Sequence, residues 1–310
     1  MTTLKQLEAL AAIAETGSMD AAARRLGVVH SAVSRQIKDF EDSFGYALLD
    51  RSGRAVRLTV EGVEVLSRAK AVLSQRDLLL ERFASKEVLS RKLRLGVTEL
   101  TALTWLPRLL QAIQAEYPRV AIEPEVDLSV NLRQRLQAGQ LDLAILPDAF
   151  AATGYVKDKL AEVRNEWVCA PGLMPGTSRM PVAKLSEYTL LTQGSLSGSG
   201  ILIGEWLRRH GVVPKSTIPS NSIVALVGIA ASGLGIAYLP RSVIRSLLDA
   251  GHLVQLNVTP RLPKIHYVTM IRSDLAMPFL RSVVELAKRT CDFEHAYPIG
   301  AAEHEKRTAA

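Results

Sequence analysis

The sequence predicts an α/β protein with an N-terminal winged helix-turn-helix, a long linker helix and a two-lobed α/β domain. Three observations carry this expectation. Two short helical stretches with a tight turn between them precede a basic turn within residues 18–59. A proline-free stretch over 60–88 carries an apolar stripe at 3-4 spacing. From Leu93 onward, short apolar runs alternate with helical ones.

The first helix of the pair starts at Ser18, a residue suited to capping, runs through alanines to Leu26 and stops at Gly27, suited to a left-handed helix end. In the second helix Val33, Ile37, Phe40 and Phe44 form one apolar stripe, leaving His30, Ser31, Ser34, Arg35 and Lys38 on or near the other side. Small polar and basic residues near the start of such a helix match the geometry that enters a DNA major groove. The plain alternative is a surface helix with solvated charges. Arg51, Arg54 and Arg57 then flank a Ser52-Gly53 turn, so that a two-stranded ribbon would carry cations toward a phosphate backbone. Upstream, Leu4, Leu7, Leu10, Ala11 and Ala14 suit a helix packed beneath the pair.

In these residues the chain resembles the LysR-type transcriptional regulators, a family of bacterial DNA-binding regulators. The matches are Gly17-Ser18, Ala21-Ala22, Leu26, Val33 to Ile37, Glu41, Gly45, Leu48, Arg51, Val56, Leu58-Thr59 and Gly62. Three positions depart from the family pattern. Val29-His30 stands where a Ser-Gln pair is usual, and Met19 and Leu49 each replace a Phe. The latter two exchange apolar for apolar. Val29-His30 removes a capping hydroxyl and an amide suited to reading a base, and substitutes an imidazole that can donate or accept.

Composition points to a soluble, cytoplasmic chain. Its 310 residues, 48% of them hydrophobic, suffice for two or three domains. No stretch reads as a signal peptide or a membrane span. Cys169 and Cys291 form no CxxC pair, and the six His residues show no metal-ligand spacing, so neither metal nor cofactor is expected. The net charge of +7 is not itself a DNA signal, because residues 1–90 hold 13 basic and 12 acidic side chains. Local placement is more telling, with seven basic against four acidic residues between 24 and 57.

Over residues 60–88, after a capping Thr59, Leu66, Ala69, Leu73, Arg76, Leu80 and Phe83 keep 3-4 spacing. Leu66, Ala69, Leu73, Leu80 and Phe83 are therefore expected to form a dimer seam, although a helix lying on its own domain would show much the same stripe. The resemblance implies the seam reading. A homodimer, or a homotetramer built from it, would set two reading helices about 34–36 Å apart, or a multiple of that. Ser85 to Arg91 reads as a hinge.

The expected domains are residues 1–59 (winged helix-turn-helix), 60–90 (linker), 91–294 (regulatory) and a disordered tail, 295–310. Apolar strands separated by helices imply a parallel sheet covered on both faces. Crossovers near Val163–Trp167 and Pro263–Tyr267 would give lobe I (91–163 and 268–294) and lobe II (164–267). Two such lobes resemble periplasmic solute-binding proteins, and the LysR resemblance implies the same domain, with Gly233 to Pro240 its clearest later marker.

Ligands of open α/β sheets bind beyond the strands' carboxyl ends, at helix N-termini. That rule selects Thr98, Glu99, Leu100, Thr101, Ser129 and Pro147 from one lobe, and Gln193, Gly194, Ser195, Leu196 and Ser222 from the other. Helix capping is the plain alternative for the hydroxyls. Glu99 would repel an anion, yet the resemblance and the hydroxyl-rich helix starts suggest a small organic acid. Gly194 to Gly200 lacks the P-loop lysine, the dinucleotide GxGxxG order and a GxSxG nucleophile.

These features predict a transcriptional regulator that binds double-stranded promoter DNA, responds to a small-molecule effector and can contact RNA polymerase. No catalytic residue and no membrane contact are expected. The competing classes are an enzyme on the two-lobed domain with a fused DNA-binding domain, and an effector-free architectural DNA binder.

Overall fold

Glycines punctuate the first three helices. Gly17, Gly27 and Gly45 stand at φ of 67°, 66° and 77° and end α1 (Leu4–Thr16), α2 (Met19–Leu26) and α3 (His30–Phe44) in left-handed caps. At the other ends Thr3 and Ser18 cap α1 and α2 through their hydroxyls, whereas Val29 gives α3 no side-chain cap. The computed structural model describes residues 2–51, 56–81, 91–174 and 179–296. Two units make up the chain, residues 1–84 and 85–310, each described by itself below.

The core of the first unit gathers Leu10 and Ile13 from α1, Ala22 from α2, and Val33, Ile37 and Phe40 from α3. Phe44 departs from the expected stripe. It is 40% exposed and lies against Phe40 and Tyr46, because α3 outlasts the core by a turn. Strands β1 (Leu49–Asp50) and β2 (Arg57–Leu58) pair antiparallel with Leu49 opposite Leu58, forming the base of the expected wing. Its tip, with Ser52, Gly53 and Arg54, lies outside the described residues.

Helix α4 (Val60–Glu81) starts where Thr59 Oγ1 accepts the Gly62 N–H at 2.9 Å, so Thr59 is the expected cap. Part of the expected seam packs within this unit. Ala69 is buried at 3% exposure, Leu66 and Leu73 pack on the same core, and Arg76 pairs with Glu8 of α1. The stripe of α4 thus packs in part on its own domain, and α4 falls in the same unit as the winged helices. The side chain of Leu80, as well as Phe83 and all of the expected hinge except Arg91, lie outside the described residues.

The second unit runs β3 (Lys92–Val97), α5 (Glu99–Thr104), α6 (Leu106–Glu116), β4 (Ala121–Val126), α7 (Ser129–Gln137), β5 (Leu143–Pro147) and β6 (Tyr155–Val163). It then crosses into β7 (Asn165–Cys169), β8 (Met180–Pro181), β9 (Thr189–Gln193), α8 (Gly198–Arg209), β10 (Ser216–Ser220), α9 (Ile223–Ala231) and β11 (Ile236–Pro240). It closes with α10 (Arg241–Asp249), β12 (Val254–Leu256), β13 (Val258–Thr259), β14 (Ile265–Arg272) and α11 (Pro278–Thr290).

Two five-stranded sheets result, ordered β4-β3-β5-β14-β6 and β10-β9-β11-β7-β12. Neither is wholly parallel as expected. β14 runs antiparallel to β5 and β6, and β7 antiparallel to β11, because each crossover delivers a returning strand to the other lobe. Since β14 starts at Ile265, lobe I resumes there and not at 268. The sequence reading also missed β6, an edge strand whose Lys157, Asp158, Lys159 and Glu162 hide its β pattern while protecting the sheet edge.

Phe293 anchors the end of the described chain against Trp105 and Tyr267. Beside it, burial would raise the Asp292 carboxyl, but the Arg108 guanidinium at 2.9 Å, the Glu294 N–H and His295 draw it down to about 2. A lowered carboxyl stabilises the fold fully above its ordinary value of 3.8, and that contribution is lost as pH falls through about 2. Asp292→Asn should therefore flatten this acid-range slope in urea titrations at stepped pH. The effect should be no more than about 1 kcal/mol for a pair this exposed, and an unchanged slope would refute the assignment.

Candidate functional site

Burial of Val33, Ile37 and Phe40 turns the opposite face of α3 outward, and His30, Ser31, Arg35 and Lys38 are exposed there with Ser34 half-buried. The Arg35 side chain is 85% exposed, with only Asp39 at 3.8 Å beside it. His30 is held more firmly, its Nδ1 lying 2.6 Å from Asp20 Oδ1. A carboxylate only accepts, so Nδ1 donates in this pair and Nε2 is the nitrogen left for an outside partner; the same contact holds the Asp20 carboxyl below its ordinary value.

The expected wing cations differ in their surroundings. Arg57 is exposed on β2, whereas Arg51 Nη2 lies 3.0 Å from Glu41 Oε2. Glu41 Oε1 also accepts the Leu48 and Leu49 N–H groups at 2.9 and 3.1 Å. That one carboxylate fixes the wing to α3.

In the second unit, β3 and β4 are parallel neighbours with Val97 opposite Val126. Thr98-Glu99 and Asp127 therefore leave adjacent strand ends and enter a cleft of about 530 Å³ between the two sheets. Eight of the expected residues line it: Thr98, Glu99, Leu100, Ser129, Pro147, Gln193, Leu196 and Ser222. Three do not. Thr101 is fully buried behind the first turn of α5, Ser195 faces solvent, and Gly194 turns its carbonyl onto the Ser197 N–H at 2.9 Å.

The sequence reading missed Val126, Asp127, Leu128 and Asn131 beside β4, Ser197 and Ser199 in the glycine-rich loop, and Asn221 with Ile223 at the start of α9. These lie within a few residues of selected ones, and the same strand-end rule would have found them. Tyr267 was missed for another reason, having been read as part of a crossover. It belongs to β14 opposite Pro147, and its hydroxyl accepts a bond from Thr98 Oγ1 at 3.3 Å. Burial pushes the phenol up to about 12 despite bonds from Thr98 and Ser199, so it lines the cleft as a neutral group.

Two hydrogen-bonded bridges cross the cleft. The Val130 N–H donates to Leu196 O at 3.0 Å. Glu99 of lobe I accepts Ser222 Oγ at 2.9 Å and the Ile223 N–H at 2.5 Å, both at the start of α9 in lobe II. The lobes also approach at Gly198, where a Cβ would stand 3.0 Å from Pro147 and 3.1 Å from Ser129 Oγ. Among the described residues no Lys, Arg or His lines the cleft.

A winged helix-turn-helix carrying an exposed polar and basic helix face, followed by a two-lobed α/β domain with an interlobe cleft, defines a DNA-binding regulator with a ligand-binding domain. Comparison with known proteins gives the family. Residues 4–63 match the lysR-family bacterial regulatory helix-turn-helix, and residues 86–292 match the LysR substrate binding domain. The chain belongs to the LysR family and is a LysR-type DNA-binding transcriptional regulator with an effector-binding domain.

Similar curated proteins include the HTH-type transcriptional regulator CbbR of Rhodospirillum rubrum, 30% identical over 301 residues that cover 93% of this chain and 97% of that one. The HTH-type transcriptional regulator CzcR of Bacillus anthracis is 26% identical over 287 residues, covering 91% and 97%. Among solved structures, a full-length OxyR variant from Pseudomonas aeruginosa shares the fold with a TM-score of 0.75 at 22% identity, over 94% and 96% of the two chains. Among the described residues, no helix is long and apolar enough to cross a membrane.

Proposed function

We propose that α3 enters the major groove of promoter DNA, with His30, Ser31, Ser34, Arg35 and Lys38 at base edges or nearby phosphates, and that Arg51, Arg54 and Arg57 engage the backbone. The observation that carries this reading is the α3 surface itself, which buries an apolar stripe on one side and leaves Arg35 85% exposed on the other. Val29, 69% exposed at the start of α3, offers an apolar contact suited to a thymine methyl group. His30 Nε2 supplies a single polar contact where an amide would make two.

The effector occupies the interlobe cleft and acts by binding one lobe arrangement better than another. The regulator works as a homodimer or homotetramer in the cytoplasm and contacts RNA polymerase at its promoters. With Leu66, Ala69 and Leu73 packed on their own domain, chain pairing through the described part of α4 uses its other faces, where Val63 and Val72 are 57% and 50% exposed.

The test is gel retardation of a genomic DNA fragment selected by the wild-type protein. Arg35→Ala should cost about 1–3 kcal/mol of binding and lower the dependence on salt if Arg35 meets a phosphate, or relax base preference if it meets a guanine. An Arg35→Ala protein that binds as tightly and as selectively as wild type would remove α3 from the DNA.

A further inference from the structure

We infer that the effector of this regulator carries a protonated amine, taken up where Asp127 and Ser129 face the Glu99 bridge. This rests on the reading of the interlobe cleft as the effector site. An anionic ligand of an α/β cleft uses free backbone N–H groups at helix starts and, where it is held tightly, a cation. Here the starts of α8 and α9 are already committed, those of α5 and α7 carry no side-chain cap, and no cation lines the cleft among the described residues. Glu99 occupies the start of α9 through Ser222 Oγ and the Ile223 N–H, and Ser222 Oγ in turn caps the Ala225 N–H at 3.2 Å. At the start of α7, Asp127 Oδ1 accepts both the Leu128 N–H at 2.7 Å and Asn131 Nδ2 at 2.9 Å. Ser197 caps α8 and donates to Gln193 at 2.5 Å. The organic acid suggested by hydroxyl-rich helix starts would therefore meet two carboxylates and, among the described residues, no cation.

What remains open in the cleft suits a cation. Among the described residues Asp127 Oδ2 accepts no hydrogen bond, while Ser129 is 1% exposed and its hydroxyl has no hydrogen-bonding partner. The two lie two residues apart at the start of α7 and both line the cleft, where they offer a carboxylate oxygen and a hydroxyl oxygen. An ammonium group has three donors and no acceptor, and so answers both. The helix starts partly offset the carboxylates, each by roughly half a charge, which leaves the lining anionic. Val126 and Leu196, 54% and 41% exposed, supply apolar surface for an alkyl body, and Asn221, with the Gln193 Nε2 group, lines the cleft for a second polar end. Binding there would also add a positive charge beside Glu99, the residue that joins the lobes, and so couple occupancy to closure.

The experiment measures thermal unfolding and calorimetric affinity of the full chain with three probes of one length: 1,5-diaminopentane, 1,5-pentanediol and glutarate. The diamine should raise the unfolding midpoint and bind at least tenfold more tightly than either of the others. Asp127→Asn should weaken it at least tenfold, since asparagine keeps the cap to Leu128 and loses only the charge, and Glu99→Gln should weaken it less. Tighter binding of glutarate, equal binding of the diol, diamine binding indifferent to both substitutions, or no diamine shift would each overturn the amine assignment. Ser129→Phe, which fills the cleft, separates the two levels. A probe of any class that shifts wild type but not this variant keeps the cleft as the effector site, whereas a shift that survives the filling overturns the cleft reading as well.

Discussion

Gly62→Ala should unfold the DNA-binding unit well below the temperature at which wild type melts. A Cβ at position 62 would stand 2.0 Å from the carbonyl oxygen of Leu48 and 3.2 Å from Thr59 Oγ1. The first is backbone and can be relieved only by moving α4 or the start of the wing. Neither is free to move. Leu48 O already accepts the Thr59 N–H at 3.0 Å, and Thr59 Oγ1 donates to Ala47 O at 2.9 Å while capping Gly62. Alanine favours a helix interior over glycine by up to about 1 kcal/mol, so propensity alone predicts a gain. The clash opposes it with an overpacking cost of about 3 kcal/mol or more. The net loss of about 2 kcal/mol corresponds to roughly 8–16 °C in a unit of this size. Differential scanning calorimetry of the full chain would resolve that transition. A variant whose first unit melts with wild type would show that Gly62 is not held against Leu48.

The helix-turn-helix was legible because its signals are local. Ser18, Gly27, Gly45 and the i, i+4, i+7 apolar positions each act within a turn or two of chain. The use of the α4 stripe was not, since the same 3-4 spacing suits a partner helix or the chain's own α1, and the packing of Ala69 depends on a core built largely from α1 to α3. The cleft shows the same division. The strand-end rule found Thr98, Ser129 and Ser222, because β-to-helix turns are local features. It could not show that Glu99 reaches position 223, since that bond spans 124 residues and depends on how the lobes meet. Tyr267 was hidden by direction, a strand that returns antiparallel into lobe I after the chain has built lobe II. Local chemistry thus named the helix ends, while long-range packing decided which of their groups remain free.

Glu41→Ala should weaken both the fold of the first unit and its grip on DNA. The Glu41 side chain is 15% exposed and serves three donors, the N–H groups of Leu48 and Leu49 and the guanidinium of Arg51. Leu48 and Leu49 are buried at 0% and 4% exposure, so water cannot readily replace the lost acceptor. Each stranded buried donor costs about 1–3 kcal/mol, whereas the half-exposed Arg51 pair contributes little. The sum expected is about 3 kcal/mol, against the half-kilocalorie scatter usual for surface substitutions. Glu41→Gln separates the parts, because its one carbonyl oxygen can still serve the backbone donors while the ion pair is lost. It should retain most of the stability and free Arg51 from its carboxylate. If Arg51 then turns to a phosphate, the slope of log affinity against log salt should steepen by about one. An unchanged slope would mean that the Glu41 pair does not hold Arg51 back from DNA. Full stability in Glu41→Ala would mean that the wing is held to α3 by something other than this carboxylate.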